Sequence, residues 1–127
     1  MYRILLFLLA LSACSSGQSV SKLADRTAEY VLIEIDGVPF AANATLRFPH
    51  AGEITGQTPC NSYFANRTVP YPWFGIEGVG ATRMACPAQA AEAAYFAALE
   101  DMTQADVRGG VLILSNSNGR RMVFEAG

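Results

Sequence analysis

Pro59-Cys60-Asn61-Ser62-Tyr63-Phe64 opens the stretch that organises this chain, and Ala81-Thr82-Arg83-Met84-Ala85-Cys86-Pro87 closes it. Between the two lie an aromatic turn, Pro70-Tyr71-Pro72-Trp73-Phe74, and a glycine-punctuated run, Gly75-Ile76-Glu77-Gly78-Val79-Gly80. The chain holds three cysteines, and Cys60 and Cys86 are the two that frame this stretch. In an oxidising compartment they read as a disulfide with the rest of the domain packed around it. Closing a loop of that length contributes on the order of 3–4 kcal/mol in the chain-entropy picture. Two other readings stay open at this point. A zinc site needs about four ligands, and a reactive thiol needs a histidine partner; His50 is the single histidine for either.

The third cysteine belongs to a different segment. Met1-Tyr2-Arg3 carries one positive charge, Ile4 to Leu11 is apolar, and Leu11-Ser12-Ala13-Cys14 comes next. This order is that of an export leader. The apolar run is far shorter than the roughly 30 Å of hydrocarbon that a spanning helix must cross. Leu11-Ser12-Ala13-Cys14 resembles a bacterial lipobox. The resemblance implies cleavage before Cys14, removal of residues 1–13, and acylation of Cys14 with diacylglycerol and a palmitate-type chain. Two or more acyl chains make a stable anchor. Ser15 after the cysteine implies sorting to the outer membrane, with the domain facing the periplasm. Residues 14–27 then read as a lipidated flexible tether, because the run Ser15-Ser16-Gly17-Gln18-Ser19-Val20-Ser21-Lys22 is polar and lacks periodicity. Residues 28–127 form the folded domain.

Composition narrows the function classes. Apolar residues make up 51% of the 127, enough for a packed core. The formal net charge is −2, and loss of Arg3 with the leader leaves eight basic residues against eleven acidic ones. No basic stripe is present, so no nucleic-acid partner is expected.

The domain reads as strands with one late helix. Glu29-Tyr30-Val31-Leu32-Ile33-Glu34-Ile35 is β-branched and aromatic, and Asp36-Gly37 marks a turn. Thr45-Leu46-Arg47-Phe48 and Glu53-Ile54-Thr55-Gly56 flank Pro49-His50-Ala51-Gly52 and read as a hairpin. Short strands are expected around Arg67-Thr68-Val69 and Phe74-Gly75-Ile76. The spacing of Glu92, Tyr95, Phe96, Leu99 and Met102 predicts a helix over residues 87–102, with Pro87 at its first position and the four apolar residues facing the core. Ala105-Asp106-Val107 and Val111-Leu112-Ile113-Leu114 form a hairpin about Arg108-Gly109-Gly110, and Arg121 to Glu125 is a closing strand. The predicted class is α+β: an antiparallel, partly open barrel-like sheet of short strands with one inserted helix near residues 87–102.

From Tyr30 to Phe124 the sequence resembles the META domain family, that of HslJ-like heat-shock lipoproteins. The resemblance rests on Thr45-Leu46-Arg47-Phe48 with Gly52-Glu53-Ile54-Thr55-Gly56, on Cys60-Asn61-Ser62-Tyr63, on Thr82-Arg83-Met84-Ala85-Cys86, and on Glu92 through Phe96 with Leu99. Two positions depart from it: Pro59 stands where the family usually has glycine, and Tyr30 where tryptophan is common. The resemblance implies the same barrel-like sheet broken by one helix. It also implies a link to heat shock, envelope stress and drug tolerance, with no catalytic mechanism to transfer.

Candidate site residues come from these motifs. Asn61, Tyr63, Thr82, Arg83 and Met84 are motif positions, with Asn61 expected to hydrogen-bond a neighbouring loop and Met84 expected in the core. Tyr71, Trp73 and Phe74 are a candidate ligand or partner surface. One histidine, no nucleophile elbow, no ligand cluster and no phosphate-binding loop point away from catalysis, so no catalytic residue, cofactor or metal is expected. The expectation is a non-enzymatic envelope lipoprotein that supports outer-membrane integrity under stress by contacts with an envelope protein. The alternatives are a barrel binding a small apolar ligand or lipid, and an inhibitor of a cell-wall hydrolase.

Overall fold

The computed structural model describes residues 28–127. The leader and Cys14 lie outside the described residues. Among the described residues, nine strands, β1 to β9, and one helix, α1, are numbered in chain order. β1 (Tyr30–Ile35), β2 (Val38–Pro39) and β3 (Thr45–Leu46) are followed by β4 (Glu53–Gln57), β5 (Ser62–Arg67) and β6 (Ile76–Ala81). Then come α1 (Gln89–Asp101), β7 (Gln104–Arg108), β8 (Val111–Ser115) and β9 (Arg121–Ala126).

The strands make two antiparallel sheets. One has the order β2-β1-β9-β8-β7, with β3 also paired to β1; the other is β4-β5-β6. Two seams join them. At one, Arg47 bridges Thr55 with reciprocal backbone bonds of 2.7 and 3.1 Å. At the other, Trp73 bridges Gln104, and Ala105 N–H donates to the Pro72 carbonyl at 2.8 Å. The result is the partly open, barrel-like α+β domain that the strand pattern predicts.

The interior is filled by alternate residues, as the period of a strand requires. Tyr30 and Leu32 of β1, Leu112 and Leu114 of β8, and Met122 and Phe124 of β9 point inward with Ile54 and Tyr63 of the smaller sheet. α1 closes this core. Tyr95, Ala98 and Leu99 recur at helical spacing and are fully buried. The Tyr95 ring contacts Tyr63 of one sheet at 5.8 Å and Phe124 of the other at 6.5 Å, so one side chain ties the two sheets together.

Several local expectations need correction. Thr45-Leu46-Arg47-Phe48 does not form a simple hairpin with residues 53–56. Its β3 part pairs with β1, and only Arg47 turns across to β4. β5 starts at Ser62, inside the cysteine motif, and β6 at Ile76, so both strands are displaced from the expected positions at 67–69 and 74–76. The helix starts at Gln89 rather than Pro87; Gln89 N–H bonds to the Cys86 carbonyl at 3.2 Å, in a turn that precedes it. Phe96 is only partly buried.

Two glycines let aromatic rings of β5 lie across the neighbouring strands β4 and β6. The Tyr63 ring lies over Gly56 on the inner face, and the Phe64 ring over Gly80 on the outer face, each a directly paired residue. A ring laid over a glycine on the neighbouring strand covers backbone that would otherwise be bare.

Candidate functional site

The motif residues converge on one buried carboxylate. Cys60 and Cys86 are joined as a disulfide with Cα atoms 5.6 Å apart. This fixes the start of β5 against the loop leading into α1. Asn61, next to Cys60, then works as a clamp. Its side-chain amide pairs with the backbone of Met84 as a strand would: the Met84 N–H donates to Asn61 Oδ1 at 2.7 Å, and Asn61 Nδ2 donates to the Met84 carbonyl at 3.1 Å. The same Nδ2 reaches both carboxylate oxygens of Glu92 at 2.9 and 3.0 Å. Thr82 Oγ1 donates to Asn61 Oδ1 at 2.8 Å and accepts the Ser62 N–H at 3.2 Å.

Glu92 is 8% exposed, in the first turn of α1, where a negative charge is favoured by the helix dipole. It also accepts from the Thr58 hydroxyl, whose oxygen takes the Asn61 N–H at 3.1 Å. A buried carboxylate left without donors is costly. Here Asn61 and Thr58 supply them and hold three segments together: residues 58–61, residues 82–84 and α1. Chemically the network anchors; its polar atoms are engaged with one another.

Tyr63 belongs to a second buried pair. Its hydroxyl meets that of Tyr95 at 2.6 Å and donates to the Thr45 carbonyl at 2.8 Å. Burial pushes both phenols well above their ordinary value of 10.0. The neutral form is thus the one that the fold favours, and ionisation opposes folding. The stabilisation is complete below pH 10 and is lost as pH rises above it. Alkaline titration should therefore show the part of the 295 nm change that belongs to Tyr63 and Tyr95 delayed and coincident with loss of near-ultraviolet dichroism. With Tyr95→Phe, the delayed part of the absorbance change should shrink, because one of the two buried phenols is gone while Tyr63 remains; a delayed part of unchanged size would refute the assignment.

Met84 and Phe74 are corrections. Met84 is 66% exposed, because the Asn61 clamp uses its backbone and leaves the side chain to solvent. Phe74 is 3% exposed and belongs to the core. Its N–H bonds to the Thr103 carbonyl at 2.8 Å, which turns its ring inward and the neighbouring Trp73 outward. Trp73 is 54% exposed, and Tyr71 is partly buried beside it. Arg83 is exposed, with no ion pair among the described residues. His50 is exposed and paired with Glu53.

Glu92 and Thr58 are the site members that sequence reasoning left out. Glu92 stands in the helix pattern, but nothing in one dimension links it to Asn61. Three apolar neighbours at helical spacing, Tyr95, Ala98 and Leu99, are the available sign that its face turns inward.

Together the fold and the clamp define a disulfide-bonded, barrel-like β domain with one helix seated across its open side. The META domain family model matches residues 21–126, and the chain belongs to that family. A search of curated proteins finds no match. Among solved structures, the NMR structure of a protein from Burkholderia xenovorans is similar at 25% identity with a TM-score of 0.64, covering 84% of this chain and 85% of that one. A second NMR structure is similar at 18% identity with a TM-score of 0.60, covering 79% and 89%, and shares the fold.

Proposed function

We propose that this is a non-enzymatic lipoprotein, anchored through Cys14 in the outer membrane and facing the periplasm, that supports envelope integrity under stress by protein contacts. The observation that carries the contact surface is Phe64. It is 54% exposed at the centre of a mainly apolar groove of about 640 Å³ on the outer face of β4–β6, lined also by Thr55, Gly80 and Ala81. An exposed aromatic within an apolar patch is the usual anchor of a protein interface. β6 pairs with β5 alone, and its register breaks at Gly78, where φ is +60°. A bulged edge carrying Glu77 discourages edge-to-edge pairing, which leaves the face as the contact.

The non-enzymatic reading is supported by the clamp, whose polar groups are spent on one another. Within the barrel, the described core is closed by its own side chains, including Tyr30, Phe48, Tyr95 and Phe124 at 0–1% exposure. This removes the support for an apolar ligand held inside.

A deletion strain should become sensitive to heat, detergent and hydrophobic antibiotics. Val38, 66% exposed on β2, is the control position. Val38→Ser should restore resistance and Phe64→Ser should not, at equal abundance of the two proteins. Full rescue by Phe64→Ser would reject the surface, and an insensitive deletion strain would reject the role.

A further inference from the structure

A second groove, of about 740 Å³, lies on the outer face of the other sheet. The strand register orders its floor. Trp73 bridges Gln104, Gln104 pairs with Ser115, and Ser115 pairs with Arg121. Directly paired residues share a face, and all four line the groove. They form one row across the sheet: an indole, an amide, a hydroxyl and a guanidinium. At roughly 4.8 Å per strand the row is about 14 Å long.

The row is rigid where it matters. The Trp73 N–H donates to the Pro70 carbonyl at 2.9 Å, and the residues on either side are tied to β7 and to Thr103. The indole is nonetheless half open to solvent. Gln104 and Ser115 make no side-chain hydrogen bond among the described residues. The charges in the groove are unequal in kind. Arg108 is paired with Asp106 at 2.8 Å, and Arg120 with Asp36 at 3.1 Å and Asp101 at 3.3 Å. The Arg121 backbone N–H bonds to Asp36 Oδ1 at 3.0 Å, but its guanidinium has no carboxylate within 4 Å among the described residues, so it is the cation of the groove left to answer an external anion.

We propose that this row binds a carboxylated oligosaccharide. A pyranose ring lays its C–H face on Trp73, ring hydroxyls exchange hydrogen bonds with Gln104 and Ser115, and a carboxylate on a later sugar takes the planar guanidinium of Arg121. The length of the row demands more than one sugar. The open, amide- and hydroxyl-lined floor suits a polyol better than an aromatic acid, which would need a deeper apolar slot. A lipid headgroup is disfavoured by position. Residue 28 enters beside Tyr30, which pairs with Ala126, whereas Arg121 lies at the opposite end of β9. The Trp73–Arg121 row therefore faces away from the end where the tether joins.

Trp73 is the sole tryptophan of the chain, so its emission reports on the groove directly. The full chain, purified in neutral detergent, is titrated with tetragalacturonate and, separately, with muramic-acid oligosaccharides from cell wall. At least one should shift Trp73 emission saturably. Arg121→Gln should weaken that ligand about tenfold, and a reduced, neutral form of the same oligosaccharide should bind the parent as weakly. The monosaccharide acid should bind far more weakly than the oligomer. Binding by calorimetry should vanish in Trp73→Ala, whose circular-dichroism spectrum at the working temperature should match the parent, because the indole is half open to solvent and the bridge to Gln104 is made by backbone. No saturable shift with either probe overturns the proposal. So does equal affinity for the monomer, affinity indifferent to Arg121→Gln, or competition by phosphatidylglycerol vesicles at lower concentration than the oligosaccharide.

Discussion

Cys60→Ser or Cys86→Ser lowers the melting temperature by on the order of 15 °C. The bridge spans 26 residues, and a loop of that size is worth roughly 3–4 kcal/mol in the unfolded ensemble. For a domain of about 100 residues each kcal/mol moves the midpoint by about 4–8 °C. The native side adds to the loss. The bridge holds the residue before Asn61 and the carbonyl that receives the Gln89 N–H at the head of α1. Without it, the segment from Thr82 to Cys86 is kept in place by the Asn61 amide and the Thr82–Ser62 pair. Differential scanning calorimetry of both single variants and of the double variant provides the check. The three should melt together, since each removes the same bond. A shift below a few degrees would show that the loop is already restrained by the clamp.

Gly56→Ala should have an effect at least as large, from a single methyl group. A Cβ at position 56 would sit 2.1 Å from the Thr45 carbonyl oxygen and 2.7 Å from both the hydroxyl and Cε1 of Tyr63. The first is backbone, held because β3 pairs with β1, and cannot swing aside. The second is a buried ring already engaged with Tyr95. Relief requires parting β4 from β3 at the seam between the sheets, which also breaks the Tyr63–Thr45 bond. Overpacking of this kind costs about 1–3 kcal/mol, and loss of a buried hydrogen bond adds about 1–3 more. Against a total stability of about 5–15 kcal/mol, the melting temperature should fall by on the order of 15 °C or more, read by circular dichroism. Gly52→Ala is the control for glycine content. Its Cβ meets nothing within 4 Å, and its φ of +84° should cost far less. Wild-type melting of Gly56→Ala would mean that Tyr63 does not cross the strand as described.

The two predictions show where the sequence is legible. Cys60 and Cys86 announce themselves by number and by framing the motif stretch. The inward residues of β8 and β9 keep a period of two that one dimension displays in full. Asn61 is identifiable as a polar residue in a motif, because an amide beside a half-cystine needs partners. Its carboxylate partner Glu92 lies 31 residues on, and only the folded chain brings them together. Met84 misleads for a related reason. Hydropathy ranks the side chain, but the fold uses the peptide group, and the thioether is left outside. Phe74 and Trp73 are adjacent aromatics whose fates differ by one residue of register, set by the Phe74–Thr103 bond. The hairpin expected at 45–56 is half right, since a chain that crosses from one sheet to another looks locally like a chain that turns back.

The pairing of β1 with β9 has a consequence for when the molecule can exist at all. The first strand of the domain finds its main partner in the last, with Tyr30 opposite Ala126, and the final Gly127 N–H bonds to the Glu29 carbonyl at 2.9 Å. Such pairing places the costliest loop closure at the centre of the fold. A chain delivered from its amino terminus therefore has no complete core until its last residues arrive. Loss of β9 would leave β1 with only the short β2 and β3 beside it and part it from β8, so the last strand acts as the latch of the domain.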